Sequence, residues 1–344
     1  MIVLESDFRE KKLNYWAQQC LRYRGIAVSD KRKLKIISSD ASFRRYFRME
    51  SIPSYIFVDA PPYKEDCKKF VDIATLIAST GLNAPKIFAS DFKLGFLMIS
   101  DLGDTVYLDR INLGDNEEID KLYGDALTAL LRLQQIKCDL PHFGQNKLLE
   151  EMHLFVDWFL EQELQISNYE ESGFEEVLEL MLVNAAEQPQ SFVHRDFHCR
   201  NLMVATENNP GIIDFQDAVI GPVTYDLVSL LKDCYHSFTF DQVAGWVEMY
   251  RERLISIGCL DKNVSREKFL RWFELMGFQR HLKCVGIFSR LHLRDSKAQY
   301  LKDIPLVIGY MMELQERYHE LRKFCGWIEQ KIIPELNSHR FVRP

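Results

Sequence analysis

No stretch of the 344-residue chain approaches the roughly 18 apolar residues of a membrane span, and the N-terminus, charged by Glu5, lacks a signal peptide's apolar core. Positive charge is not in excess either. The formal net charge is −7, which argues against nucleic acid or an anionic membrane as partner. The 8 cysteines form no CxxC pair and have no histidine at zinc-finger spacing, so they read as reduced, mostly buried thiols. Internal repeats and low-complexity tracts are also missing. These absences leave a soluble, cytoplasmic protein, and nothing in the chain implies an obligate protein partner. At 47% hydrophobic content, 344 residues can bury a large core and suggest two lobes.

The chemistry-bearing residues are concentrated between 192 and 226, FVHRDFHCRNLMVATENNPGIIDFQDAVIGPVTYD. FVH enters as an extended run, and the connection after it carries Asp196 and Asn201. LMVA reads as a strand, and a turn through Asn208, Asn209, Pro210 and Gly211 lets GIID pair with it and end on Asp214. Strands joined by a tight turn bring their outer ends together, which predicts Asp196, Asn201 and Asp214 around one volume. Two carboxylates and an amide suit Mg2+, a hard cation that takes oxygen ligands, keeps some of its waters and shares a nucleotide's phosphates. On that reading Asp196 is the base or orienting group for an acceptor hydroxyl, and Asn201 and Asp214 hold the metal. The same residue types also serve as turn and capping residues. Cys199 is a candidate reactive thiol, but no base or oxyanion site accompanies it, so a structural role is expected.

Upstream, residues 5–25 show helical apolar spacing closed by Gly25. KLKIIS, YFRME and YIFVDAPP read as three antiparallel strands. The loop Ser38-Ser39-Asp40-Ala41-Ser42 between the first two has small residues whose backbone N–H groups suit a phosphate, although it lacks glycine. An amphipathic helix over 64–80 and strands in LNAPKIFAS and GFLMISDLGD complete a β-rich lobe that ends in a connector at 100–104. Helical periodicity then covers 119–136, 148–166, 175–186, 226–236, 241–257, 266–293 and 303–332. The fold class is α+β: an N-terminal lobe over 1–103 and a helical lobe over 104–344 with a β insert, the plan of a two-lobed kinase whose nucleotide lies in the cleft.

His194-x-Asp196-x-x-x-x-Asn201 followed by Ile213-Asp214-Phe215 resembles the catalytic and metal motifs of the aminoglycoside phosphotransferase and choline kinase family, which has a protein-kinase-like fold. Gly221-Pro222 and Tyr225-Asp226-Leu227 continue its pattern, in which the later Asp opens a helix and helps to hold the catalytic loop. SSDASFRRYFR, VDAPP, DLGD, FQDAVIGPVTYDLVSLLKDCY, RWFELMGFQRHLKCVGIFSRL and YLKDIP extend the likeness over residues 36–310. In these segments the chain is similar to bacterial kinases of the anomeric hydroxyl of N-acetylmuramate and N-acetylglucosamine in peptidoglycan recycling. The resemblance implies ATP and Mg2+ as cofactors, a small sugar as substrate and a sugar 1-phosphate as product. It also implies Asp196 as the catalytic residue, Asn201 and Asp214 as metal ligands, and His194 and Asp226 as structural supports. Ser39, Asp40, Ser42, Arg44, Arg45, Met98, Ser100 and Asp101 are the expected ATP contacts.

One position departs from the family pattern. Many relatives carry a Lys or Arg for the nucleotide phosphates on the third strand, where YIFVDAPP has Asp59. Phosphoryl transfer is stabilised mostly by electrostatics, so another cation must stand in. Arg44, Arg45 and Arg48 are nearest in sequence; strand alternation sends Arg44 and Arg45 to opposite faces and leaves open which one serves. On the acceptor side, Gln216 and Asp217 should border the pocket or a second metal. Arg195 suits a carboxylate and His198 a sugar hydroxyl, while Arg195 also reads as a bridge to acidic residues of its own lobe. Glu274, Arg280, His281 and Arg290 interrupt an apolar helix, either satisfied in the core or lining a pocket, and Arg280 and His281 read as pocket lining. Trp158, Trp246 and Trp272 read as core. Two competing readings are a kinase for an amino alcohol or aminoglycoside, whose cationic acceptor wants an acidic pocket, and a nucleotide-binding pseudokinase scaffold, prompted by Asp59.

Overall fold

A computed structural model describes residues 2–27, 34–38, 43–49, 53–337 and 341. The expected phosphate-loop residues Ser39, Asp40 and Ser42 lie outside the described residues. Along the chain, α1 (Ile2–Tyr23) precedes β1 (Lys35–Ser38), β2 (Arg45–Met49) and β3 (Tyr55–Asp59), and α2 (Cys67–Ser79), β4 (Ile87–Asp91) and β5 (Phe96–Ser100) follow. Next come α3 (Tyr107–Ile111), α4 (Asn116–Gln134), α5 (Gln145–Leu154), α6 (Phe174–Ala186) and β6 (Gln190–Val193). The short strands β7 (Leu202–Met203) and β8 (Gly211–Ile212), then β9 (Val219–Pro222), lead into α7 (Tyr225–Leu231) and α8 (Phe240–Ser256). The chain closes with α9 (Arg266–Asp295), α10 (Ile304–Met312), α11 (Arg322–Lys331) and α12 (Ile333–Leu336).

These elements fall into two compact units. One comprises Met1–Arg110, Asp120–Ala126 and Asn201–Asp217; the other comprises Ile111–Ile119, Leu127–Arg200 and Ala218–Pro344. In the first, five strands pair antiparallel in the order β1-β2-β3-β5-β4. β3 is buried along its whole length, as a central strand of nearly continuous apolar sequence should be. Leu13, Ala17 and Leu21, one turn apart on α1, pack with Phe47, Phe57 and Phe96 of the sheet. Asp66 starts α2 by accepting the N–H groups of Lys68 and Lys69 at 2.9 and 3.1 Å. The β7–β8 pair belongs to this unit and is held by Ile212 N–H to Asn83 O at 2.8 Å and Val204 N–H to Thr105 O at 2.9 Å.

In the second unit α9 runs for 30 residues, capped by Ser265, which accepts from Lys268 N–H at 3.2 Å. Most of its residues are buried, so it is the axis on which other helices pack. At Gly286 it meets α5 so closely that an added Cβ would lie 2.3 Å from the Leu154 carbonyl. Only glycine permits that approach.

Two helical expectations are corrected. The segment 148–166 is not one regular helix: α5 ends at Leu154, and Phe155–Glu163 continues with π-type hydrogen bonding. The long helix expected over 303–332 is broken, with 3-10 turns at Glu313–Glu316 and His319–Leu321 between α10 and α11. Buried Glu274 of α9 supplies a physical reason, because it takes Arg317 Nη2 and Tyr318 Oη, each at 2.5 Å, and both donors sit in the break. No helix among the described residues is long and apolar enough to cross a membrane.

Candidate active site

In the second unit, β6 ends at Val193 and the chain turns through Arg195 at φ +79°, a left-handed conformation that a long side chain seldom adopts. Asp226, fully buried in the first turn of α7, holds this turn by accepting the backbone N–H of His194 at 2.6 Å and of Arg195 at 2.9 Å. Burial pushes the Asp226 carboxyl up to about 7, with the two N–H groups pulling the other way. Ser229 Oγ donates to the Arg195 carbonyl at 3.3 Å, and Asp196 N–H donates to His194 Nδ1 at 3.3 Å. His194, fully buried, stands edge-on to Phe197. His194 and Asp226 thus have the contacts of loop supports.

The Arg195 side chain pairs with Glu151 of α5 and lies 5.5 Å from the Phe143 ring, which is the intralobe bridge among the two readings made for it. Glu151 also receives Tyr225 Oη at 3.4 Å and lies 3.5 Å from Lys283 Nζ, which donates to Tyr225 Oη at 3.0 Å. Burial opposes a charge on Asp196. Lys283, Arg280 and Arg195 outweigh it and hold the carboxyl well below the usual carboxylate range. His198 is driven down to about 3 by burial, Arg280 adding to the effect, so its ring is neutral near pH 7. Its Nδ1 is buried without a hydrogen-bond partner among the described residues, and the ring meets Tyr235 edge-on at 5.5 Å. Arg280 is buried with Nη1 3.5 Å from the Cys284 sulfur. His281, expected to line the pocket, stacks on Tyr310 and sets Nε2 3.0 Å from the Lys232 carbonyl oxygen, while its Nδ1 is buried without a hydrogen-bond partner among the described residues. Trp272 is core, its indole N–H donating to Glu187 at 3.1 Å. Cys199 is buried, as expected of a structural thiol.

In the first unit, Asn201 Nδ2 donates to Asp214 Oδ2 at 3.3 Å and Gln216 Nε2 donates to Asp214 Oδ1 at 2.8 Å. Ile213 N–H donates to the Asn201 carbonyl at 3.2 Å, tying the open ends of β7 and β8 together. Asp214 adopts φ +64°, a second non-glycine residue in the left-handed region. Asn209 fixes the turn by donating to Tyr107 Oη at 2.7 Å and to Asp125 at 2.8 Å. Asp217 is exposed, 3.9 Å from Lys69. The oxygens of Asp214 and Asn201 are hard donors at one end of a hairpin, a set that fits Mg2+ shared with a nucleotide's phosphates.

Asp59 is fully buried and takes Arg9 Nε of α1 at 2.9 Å and Arg45 Nε at 3.1 Å. Arg45 is therefore an anchor between strand and helix. Its neighbour Arg44 pairs with Glu65 at 2.7 Å and lies 6.0 Å from the Phe70 ring, which packs on Phe215 beside Asp214. Burial pushes the Tyr46 phenol up against the pull of Arg44, with Asp214 adding, so the same ring senses both groups. Asp101 is engaged by Arg48 Nε at 2.6 Å and Ser54 Oγ at 2.7 Å, Ser100 Oγ accepts Lys86 N–H at 2.9 Å, and Met98 lies in the core with α1.

The sequence pattern of the phosphotransferase enzyme family matches residues 33–262. The chain belongs to that family. Across 326 residues, 92% of this phosphotransferase and 95% of the relative, it is 41% identical to an N-acetylmuramate/N-acetylglucosamine kinase of Pseudomonas putida. A protein of the same name from Neisseria meningitidis is 36% identical, over 91% of this chain and 93% of its own. Among solved structures, the ADP-bound aminoglycoside phosphotransferase APH(2'')-Ib aligns over 85% of this chain and 95% of its own, with a TM-score of 0.56 at 17% identity. An ethanolamine kinase of Plasmodium vivax covers 81% of this chain and 82% of its own, with a TM-score of 0.57 at 13% identity. These structural likenesses show the fold, a kinase-like α+β architecture with a β-rich N-terminal region and a helical remainder.

Three residues of the phosphotransferase escaped the sequence reading. Lys283 and Glu151 each interrupt apolar helical positions, the same signal that singled out Arg280. Glu65 carries no such signal, since only the paired geometry connects it to Arg44.

Proposed function

We propose that this phosphotransferase transfers the γ-phosphoryl group of ATP to the anomeric hydroxyl of N-acetylmuramate or N-acetylglucosamine, in the cytoplasm, as a step of peptidoglycan recycling. The observation that carries this reading is 41% identity, over 92% of the chain, to a kinase named for those two sugars. Asp196 accepts a hydrogen bond from the hydroxyl. A carboxylate held so acidic is a weak base, so its work is to orient the hydroxyl oxygen toward phosphorus. It takes the proton as the sugar O–P bond forms and the bond to the ADP oxygen breaks.

Asn201 and Asp214 are the proposed Mg2+ ligands, with Gln216 bracing the carboxylate; the bound cation would offset the charge of the phosphates. Arg44, braced by Glu65, is the proposed phosphate cation, because Arg45 is engaged with Asp59. The unpartnered Nδ1 of the neutral His198 suits a sugar hydroxyl. Arg195, Arg280 and Lys283 around Asp196 disfavour a cationic amino alcohol or aminoglycoside. The reason for a scaffold reading falls away, since Asp59 is an ion-pair anchor rather than a defective phosphate site.

The test is an acceptor panel with ATP and magnesium, reading ADP release and the 31P spectrum of the product. A phosphomonoester on the anomeric carbon of either sugar is the expected result. ADP release with choline, ethanolamine or an aminoglycoside, and with neither sugar, would overturn the proposal.

A further inference from the structure

We infer that Lys283 is a positioning residue: from α9, through Tyr225 and Glu151, it fixes the loop that carries Asp196 and keeps a permanent positive charge beside it. The inference rests on the role proposed above for Asp196. Glu151 is the hub of the arrangement. It is buried on α5 and gathers Arg195 from the loop, Tyr225 from α7 and Lys283 from α9. Tyr225 relays between the two charges, accepting from Lys283 at 3.0 Å and donating to Glu151 at 3.4 Å.

A buried carboxylate that loses one of its cations pulls harder on the remaining one. Without Lys283, Glu151 would keep Arg195 and the Tyr225 hydroxyl, and Arg195 immediately precedes Asp196 in a backbone already at φ +79°. The groups that act on Asp196 come from every side: Arg195 and the neutral His198 on the loop, Asp226 on α7, and Arg280, Lys283 and Cys284 on α9. Among the cations, Lys283 acts on it most strongly. Burial works against the charge of Lys283 itself, but Glu151, Tyr225 and Asp196 outweigh it and the ammonium persists.

The test compares Lys283→Met, Lys283→Gln and Lys283→Arg with the wild type in steady-state turnover near neutral pH, with kcat and KM for ATP separated, together with thermal melting. Met removes both the charge and the donor, Gln keeps a donor without the charge, and Arg keeps the charge. The expected result is a kcat about 10-fold or more lower for Met and Gln, KM for ATP within about twofold, and recovery of most of the rate in Arg. Gln keeps the question answerable if Met fails to fold. Wild-type kcat in Gln would overturn the inference, as would a rate loss in Arg equal to that in Met and Gln. A wild type that turns over neither sugar would count against the proposed function, whereas an active wild type with an indifferent Lys283 would count against this inference alone.

Discussion

Asp196 and Arg44 are the residues whose proposed roles are sharpest, and each makes a separable prediction. Asp196→Ala should lower turnover by about 10²–10⁴-fold, the range for loss of a positioned base. Because Asp196 is proposed to act on the acceptor hydroxyl and not on the nucleotide, calorimetry should find ATP affinity changed by less than about threefold. Arg44→Ala should raise KM for ATP about 10-fold or more, as loss of a charge-assisted contact does. Arg45→Ala, one residue along, should leave that KM nearly unchanged and lower the melting temperature instead, because its guanidinium holds Asp59. Equal effects of the two arginine variants on KM would refute this division.

At the scale of elements, two contacts decide how helices meet their neighbours. Asp59 joins β3 to α1 and β2, so Asp59→Ala leaves Arg9 and Arg45 without their buried carboxylate. The expected loss is about 3–5 kcal/mol of stability by denaturant titration. Asp59→Lys, which restores the cation many relatives carry there, should destabilise further without improving KM for ATP. Gly286→Ala tests the α9–α5 contact, where the added methyl would meet the Leu154 carbonyl. A loss of about 1–3 kcal/mol is expected from overpacking. Both helices were legible from their periodicity, whereas the glycine contact was not, because it depends on which turn of α5 lies opposite.

For the whole molecule, acid should be destabilising in a predictable way. His198 and His281 are both pushed down to about 3, chiefly by burial. A histidine with a depressed folded pKa contributes stability that is present above its unfolded value near 6.5 and is lost as pH falls from there toward 3. Each can contribute a slope of about 1.4 kcal/mol per pH unit in that window. Asp226, pushed up to about 7, works in the opposite sense over the same window and offsets about one histidine's slope. Denaturant titrations at pH 7 and pH 5 should therefore show a moderate net loss at the lower pH, and His281→Gln should reduce the slope by up to one proton's worth. A slope unchanged in that variant would mean that His281 is not the neutral packed ring described here. The family match spans both compact units, which is why the fold class could be read from the order of strands and helices, while the break between α10 and α11 could not.

The sequence by itself determined the chemical groups and their order: His194, Asp196, Asn201 and Asp214 sit on short local segments, and the hairpin that pairs Asn201 with Asp214 is local too. It determined the alternation of small sheet and large helical region for the same reason, since apolar periodicity is local. Tertiary structure alone decided which of the adjacent arginines pairs with Asp59 and which with Glu65, because those carboxylates reach their partners across space and not along the chain. It alone brought Lys283 and Glu151, 132 residues apart, together beside Arg195 of the loop that carries Asp196. Buried charges take the partner nearest in space, and that distance is not written in the order of the chain.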